Sequence, residues 1–289
     1  MRASNSFGFR PLRPWALASA CVLAMVPMAQ AADTLRIEGP AGELFVDDGG
    51  ARAPSAAAPV LFVHSFAGNS SHWKEQLQHL RKTRRAAAID LRGHGRSQAP
   101  KSGDYAVESL AADIGAAADA LRLQRFVLVG HSMGGAAAAA YAGLHPDRVA
   151  GLVLIGAPGK SPPEVTQKVM AGLKSDYDKT MAGYWQSLLK DARAATKKGR
   201  EAEMRRVQRD SSMAMIEATF AFDPLPALAR YSGPKLIIDT PHNGEGPEAL
   251  HGQAPQVERR LVEHTSHWPH IDNPKAFDHV LDEFLAKLS

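Results

Sequence analysis

The residues able to do chemistry gather around one serine. In LVGHSMGGAAAAAYAG, Leu128 to Gly143, four glycines surround Ser132 where an apolar run meets an alanine-rich run. G-x-S-x-G is present as Gly130-His131-Ser132-Met133-Gly134, after the strand-like RFVLV and before a helix-like stretch. So tight a strand-to-helix turn holds its central side chain clear of the backbone, and glycine on either side removes Cβ atoms that would collide there. The helix starting at that point aims backbone N–H groups and the positive end of its dipole at the spot where an oxyanion would develop. Five residues match by chance in many sequences; the flanking strand and helix lift this match above that background. The expected chemistry is nucleophilic attack by the Ser132 hydroxyl.

A serine hydroxyl is a poor nucleophile until a base takes its proton. EHTSHWPHIDNPKAF carries His264, His267 and His270. His267 is the expected base, because it follows the last strand-like run after a short loop; His264 and His270 are assigned to surface or supporting positions. The H-x-x-H-x-x-H spacing also admits a metal site. However, the segment contains Pro269 and reads as a loop, without the i, i+4 spacing that puts two ligands on one helix face. No metal and no cofactor are implied. A second oxyanion donor is expected from the backbone N–H of Phe66, in FVHSFAGNSSHW directly after the strand-like run 59–64, to join that of Met133.

These residues need a scaffold, and the apolar pattern supplies one. PVLFVH (59–64), AAAID (86–90), RFVLVG (125–130), VAGLVLIG (149–156), PKLIID (234–239) and VERRLVE (257–263) read as strands. LRIEG and ELFVDD read as a first hairpin. Helical patterns occupy 71–82, 106–122, 133–144 and 274–288 between and after them. Near-continuous Val/Leu/Ile runs alternating with helices predict a parallel sheet buried on both faces. Between Pro158 and Tyr231 no strand-like run occurs; two amphipathic helical patterns fill it, 164–195 and 199–220. This insert, 158–231, is expected to be a helical cap on a core made of 32–157 and 232–289. Its cations, Lys197, Lys198, Arg200, Arg205, Arg206 and Arg209, read as a solvated helix face with Glu201 and Glu203 interspersed, ahead of a membrane or polyanion surface.

Composition is that of a globular chain: 289 residues, 45% hydrophobic and 22% charged. Arg2, Arg10 and Arg13 precede the apolar WALASACVLAMVPMA, and AQA at 29–31 is a small-x-small site. This predicts a Sec-type signal peptide over 1–31 and export to the periplasm or the medium, with no stable membrane insertion after cleavage. Cys21, the only cysteine, lies in that leader, so the mature chain is expected to fold without a disulfide. Without the three leader arginines, 31 basic residues face 30 acidic ones, and nothing in the balance points to nucleic acid.

HSFAGNSSHW, DLRGHGRS (90–97), GHSMGG and TSHWPHIDNPKAF, in this order, resemble the α/β-hydrolase superfamily over nearly all of the mature chain, about 34 to 288. The resemblance implies an α/β fold with a mostly parallel eight-stranded sheet flanked by helices, and a helical cap inserted between strands 6 and 7. It gives Asp90, Arg92 and His94 an architectural part. It also implies an acid, usually an Asp shortly after the seventh strand. There the sequence reads IIDTPHNGEGPEAL; Asn243 lines up most simply, Glu245 is the favoured acid and Asp239 the alternative. The implied activity is that of a serine hydrolase acting on a carboxylic ester with a small to medium apolar acyl group. Trp73, Trp185, Phe222 and Trp268 are the leading pocket candidates, with Tyr184, Met215 and Phe220 among the others. A carbon–carbon bond hydrolase, a cofactor-free perhydrolase and a non-catalytic ligand-binding protein on the same scaffold are the alternatives.

Overall fold

The computed structural model describes residue 1 and residues 33–51, 57–241 and 249–288. Apart from residue 1, the leader 1–31 therefore lies outside the described residues, as do Asn243 and Glu245. In chain order the strands are β1 (Asp33–Gly39), β2 (Gly42–Gly49), β3 (Val60–Val63), β4 (Ala86–Asp90), β5 (Phe126–His131), β6 (Val149–Ile155), β7 (Lys235–Asp239) and β8 (Glu258–Leu261). The helices of the core are α1 (Lys74–Leu80), α2 (Val107–Ala120) and α3 (Met133–Leu144). Five more lie between β6 and β7: α4 (Pro163–Ser175), α5 (Tyr177–Leu188), α6 (Ala194–Met204), α7 (Arg209–Ala221) and α8 (Leu225–Arg230). Two short helices, α9 (Leu250–Gln253) and α10 (Pro269–Asp272), precede the closing α11 (Pro274–Ala286).

The strands form one eight-stranded sheet in the order β1-β2-β4-β3-β5-β6-β7-β8. The β1–β2 and β2–β4 pairings are antiparallel and the rest parallel. The central strands are apolar on both faces because both faces are covered. Leu61, Leu128, Leu152 and Ile237 pack toward α2 and α3, whereas Phe62, Val127, Val129 and Ile238 pack with residues of α1 and α11. β8 is the exception. Its four residues, Glu-Arg-Arg-Leu, are all exposed, as suits an edge strand guarded by charge against further pairing.

The inserted segment departs from its sequence pattern in that both runs are broken, and 199–220 is divided between α6 and α7. The run 164–195, expected as a single helical stretch, breaks at Asp176, whose side chain accepts from the Lys179 N–H and caps α5. α8 packs on the core helix α3 so closely that a Cβ on Gly143 would lie 2.7 Å from Ala227 Cα. Among the described residues no helix is long and apolar enough to cross a membrane.

Candidate active site

The sheet register brings the catalytic candidates to one edge. Val63 at the end of β3 pairs with Gly130 of β5, and Gly130 pairs with Leu154 of β6, so the loops leaving these three strands start side by side. Between β5 and α3 the chain turns on a single residue. Ser132 has φ 54° and ψ −119°, a left-handed conformation that costs a non-glycine residue energy and is held by its surroundings. Its N–H donates to the Ile155 carbonyl at 2.8 Å, and its own carbonyl accepts from Gly135 and Ala136, which ties the turn to β6 on one side and α3 on the other. Gly134 permits the approach: a Cβ there would lie 2.2 Å from the His64 carbonyl oxygen. The first turn of α3 is thus pressed against the end of β3.

That contact sets the loop carrying Phe66 beside the N-terminus of α3, where Met133 is the first helical residue and its N–H has no intrahelical acceptor. The loop is held from behind by His64. Leu91 N–H donates to its Nε2 at 3.0 Å, so its proton is on Nδ1, which donates to the Ser65 carbonyl at 2.8 Å. Burial pushes His64 down to about 3, which keeps this tautomer neutral. Ser132, Met133 and Phe66 line one small cavity together with Tyr184, Met215, Ile216, Thr219 and Phe220 from α5 and α7.

His267 lies in the loop after β8 and is buried. Its ring stands 4.7 Å from that of His131, the residue preceding Ser132, and His131 Nε2–H donates to the His267 carbonyl at 2.8 Å. The His267 N–H donates to the Leu188 carbonyl at the end of α5. Burial pushes His267 down to about 4. The other two histidines of the segment diverge from it. His264 is exposed with φ 57°, and His270 is buried flat against Trp73, ring centroids 4.2 Å apart. Asp239 ends β7 with its carboxylate 2.7 Å from Arg259 Nε and 2.9 Å from His251 Nδ1.

The DLRGHGRS loop is built as architecture. Asp90 accepts from the backbone N–H groups of Ser70 and Arg96, Arg92 makes a two-pronged pair with the buried Asp113, and His94 bonds the Arg92 carbonyl.

Of the four leading pocket candidates, none is among the residues lining the Ser132 cavity. Trp73 is turned to the opposite layer, stacked between Phe62 and His270. Trp268 is fully buried and stacks on Trp185 at 5.6 Å, edge-on to His267, so this pair packs against His267 without lining the cavity. Phe222 follows the end of α7 and lines a separate cleft of about 450 Å³ beside α2 and α8. Tyr184, Met215 and Phe220 are the predicted residues that do reach it.

Four polar residues that the sequence pattern hid connect α6 to the core outside the Ser132 cavity. Glu203 and Arg200, read as part of a solvated face, point inward with Thr196: Lys197, Lys198, Arg205 and Arg206 are exposed, but Arg200 is buried and the Glu203 side chain is 14% exposed. The i, i+4, i+7 spacing of 196, 200 and 203 was the available signal. Asp272 is buried and accepts from the Ser266 N–H and hydroxyl and from the Thr196 hydroxyl.

Residues 58–274 match the family model described as the alpha/beta hydrolase fold. A serine hydrolase-like protein of Danio rerio is 38% identical over 140 residues, 48% of this chain and 42% of that protein. The chain thus spans less than half the length of that relative. A protein of Bacillus subtilis named putative 2-succinyl-6-hydroxy-2,4-cyclohexadiene-1-carboxylate synthase is 27% identical over 268 residues, 81% of this chain and 93% of that one. Among solved structures, the enol-lactonase of Burkholderia xenovorans superposes with a TM-score of 0.71 at 26% identity, covering 87% of this chain and all of the other. The strained serine between β5 and α3, the sheet order and the matched length agree: this chain belongs to the alpha/beta hydrolase fold family.

Proposed function

We propose that the protein is a serine hydrolase that cleaves carboxylic esters of apolar acyl groups. The observation that carries this reading is Ser132 itself, held at positive φ at a helix N-terminus and opening on a cavity lined by Phe66, Met133 and uncharged side chains. The absence of a charged side chain from that lining favours a neutral acyl group.

In the proposed reaction His267 takes the Ser132 hydroxyl proton as the oxygen attacks the ester carbonyl carbon. The tetrahedral oxyanion is stabilised by the N–H groups of Phe66 and Met133, aided by the dipole of α3. Collapse breaks the bond to the alkoxy leaving group, which receives the proton from His267. A water molecule then gives a proton to His267 and attacks the acyl carbon, and Ser132 leaves with that proton. Glu245 is the proposed acid behind His267, with Asp239 the alternative; the Arg259 and His251 partners of Asp239 favour Glu245. The helices between β6 and β7 act as the cap, and the leader 1–31 directs export.

The test is hydrolysis of p-nitrophenyl esters by the protein beside Ser132→Ala. The expected result is turnover by the first and a loss of at least about 10³-fold in the second. Turnover that survives Ser132→Ala rejects the mechanism. Inertness of both proteins toward every ester moves the assignment to carbon–carbon hydrolysis or to ligand binding without catalysis.

A further inference from the structure

The cavity at Ser132 is small, with a volume of about 10 Å³. Behind it, inside the inserted helices, lies a second chamber of about 210 Å³. Its walls are Val169 and Leu173 of α4, Thr180 and Met181 of α5, and three residues that also line the Ser132 cavity: Tyr184, Ile216 and Phe220. Lining both cavities, these three form the partition between them. The residues that line the chamber and the partition carry no charge at neutral pH, and burial pushes the Tyr184 phenol up to about 12.

The chamber is partly open to the surface: Val169, Thr180, Tyr184 and Phe220 are half-buried. Its lining is aliphatic and aromatic apart from the hydroxyls of Thr180 and Tyr184, which favours an apolar occupant. An apolar recess that shares three lining residues with the Ser132 cavity has the character of a ligand site.

We propose that this chamber receives the distal end of the substrate's acyl chain, passing between Tyr184, Ile216 and Phe220, and so makes the enzyme selective for unbranched medium-chain acyl groups. The inference rests on the ester reading above. A methylene group occupies about the space of a water molecule, roughly 30 Å³, so the chamber holds on the order of seven such groups. With the first carbons lying in the partition, the preferred acyl group has about eight to ten carbons. The alcohol part of the ester leaves by another route and is not selected here.

Two series separate the parts of the proposal: p-nitrophenyl esters from acetate to palmitate, which vary the acyl chain, and alkyl acetates, which vary the alcohol. The readout is the ratio of kcat/KM for the octanoyl ester to that for acetate. Val169→Phe, which fills the chamber, is expected to lower this ratio at least about tenfold, the scale on which methylene contacts discriminate. Phe220→Ala, which opens the partition, is expected to raise the relative rate of the dodecanoyl and palmitoyl esters. Calorimetry with octanoate on Ser132→Ala is expected to show binding that Val169→Phe abolishes in the same background. Ser132-dependent acetate hydrolysis with an unchanged octanoyl ratio in Val169→Phe overturns the chamber and leaves the ester reading standing. A change confined to the alkyl acetate series assigns the chamber to the alcohol and overturns it as an acyl site. No Ser132-dependent turnover on any ester, with no octanoate binding, removes both.

Discussion

The carboxylate of Glu203 stands 2.8 Å from Nε2 of His72, and this pair joins the inserted helix α6 to the segment that follows β3. Glu203 also accepts from Asn69 Nδ2 at 3.4 Å and from Arg200 Nη2 at 2.9 Å. Burial pushes His72 well below its ordinary 6.5, so the ring is neutral and meets the carboxylate through an Nε2–H donor. The segment that follows Phe66 is therefore fastened to α6. Glu203→Ala leaves the Arg200 guanidinium buried without its partner and is expected to destabilise the fold by about 2–4 kcal/mol. Glu203→Gln, which keeps an acceptor oxygen, is expected to cost less. Urea unfolding at neutral pH checks the order of the two.

Asp272 does for the histidine loop what Glu203 does for the Phe66 loop. It holds Ser266, the residue before His267, through both backbone and hydroxyl, and reaches α6 through Thr196 and the Arg193 N–H. Asp272→Ala frees the loop that carries the proposed base and leaves those donors unsatisfied. The expected outcome is a fall in kcat of about tenfold or more with a smaller change in KM, since positioning of the base matters most in the transition state. Thr196→Val, which removes one of the two contacts to the α6 region and leaves those to Ser266, is expected to have the milder effect. Steady-state kinetics on a p-nitrophenyl ester distinguishes them.

Six buried histidines make the fold sensitive to acid. His64, His72, His94, His131, His267 and His270 are all pushed below their ordinary value, chiefly by burial, with His64 and His94 at about 3 and His267 at about 4. Their folded values lie under the unfolded one of about 6.5. The unfolded chain therefore binds more protons as pH falls, and the stability present above pH 6.5 is lost progressively toward pH 4 and below. Each such histidine contributes a slope of at most about 1.4 kcal/mol per pH unit. Urea midpoints are expected to be flat from pH 8 to 7 and to fall steeply between 6.5 and 5. For the native enzyme, the acid limb of kcat/KM is expected well below 6.5, because His267 stays neutral and able to act as a base there.

The acid of the proposed triad is separable by mutation. Asp239→Asn weakens the contacts to Arg259 and His251 that tie β7 to β8 and to the α9 region. It is expected to lower stability by about 1–3 kcal/mol and kcat by less than about tenfold. Glu245→Gln is expected to lower kcat by 10²-fold or more, on the order found when a triad acid is neutralised, with little change in the unfolding midpoint. Reversal of these two patterns would identify Asp239 as the acid.

Much of this arrangement is legible in the sequence, and particular residues show why. The helix after the nucleophile is predicted at 133–144 and observed over Met133–Leu144, because glycine and alanine there answer to the same steric demand that makes the turn. β3 to β7 are apolar on both faces, and so stand out as continuous runs. α6 shows the opposite case. Its sequence is dominated by charge, and the single buried row Thr196–Arg200–Glu203 does not announce itself when the partners, His72, Asn69 and Asp272, lie 76 to 134 residues away.

By itself the sequence determined the nucleophile candidate, the base candidate, the order of strands and helices and the presence of an inserted helical segment, since each depends on local spacing or on periodic burial. Only the tertiary structure decided which aromatic side chains face Ser132. An aromatic residue buries equally well in either layer of the sheet or within the cap, so Trp73, Trp185, Phe222 and Trp268 carry no sequence signal that separates pocket from core. Packing chose Tyr184, Met215 and Phe220 for the cavity, sent Trp73 to the far layer, and left behind Phe220 a space that nothing in the local sequence foretells.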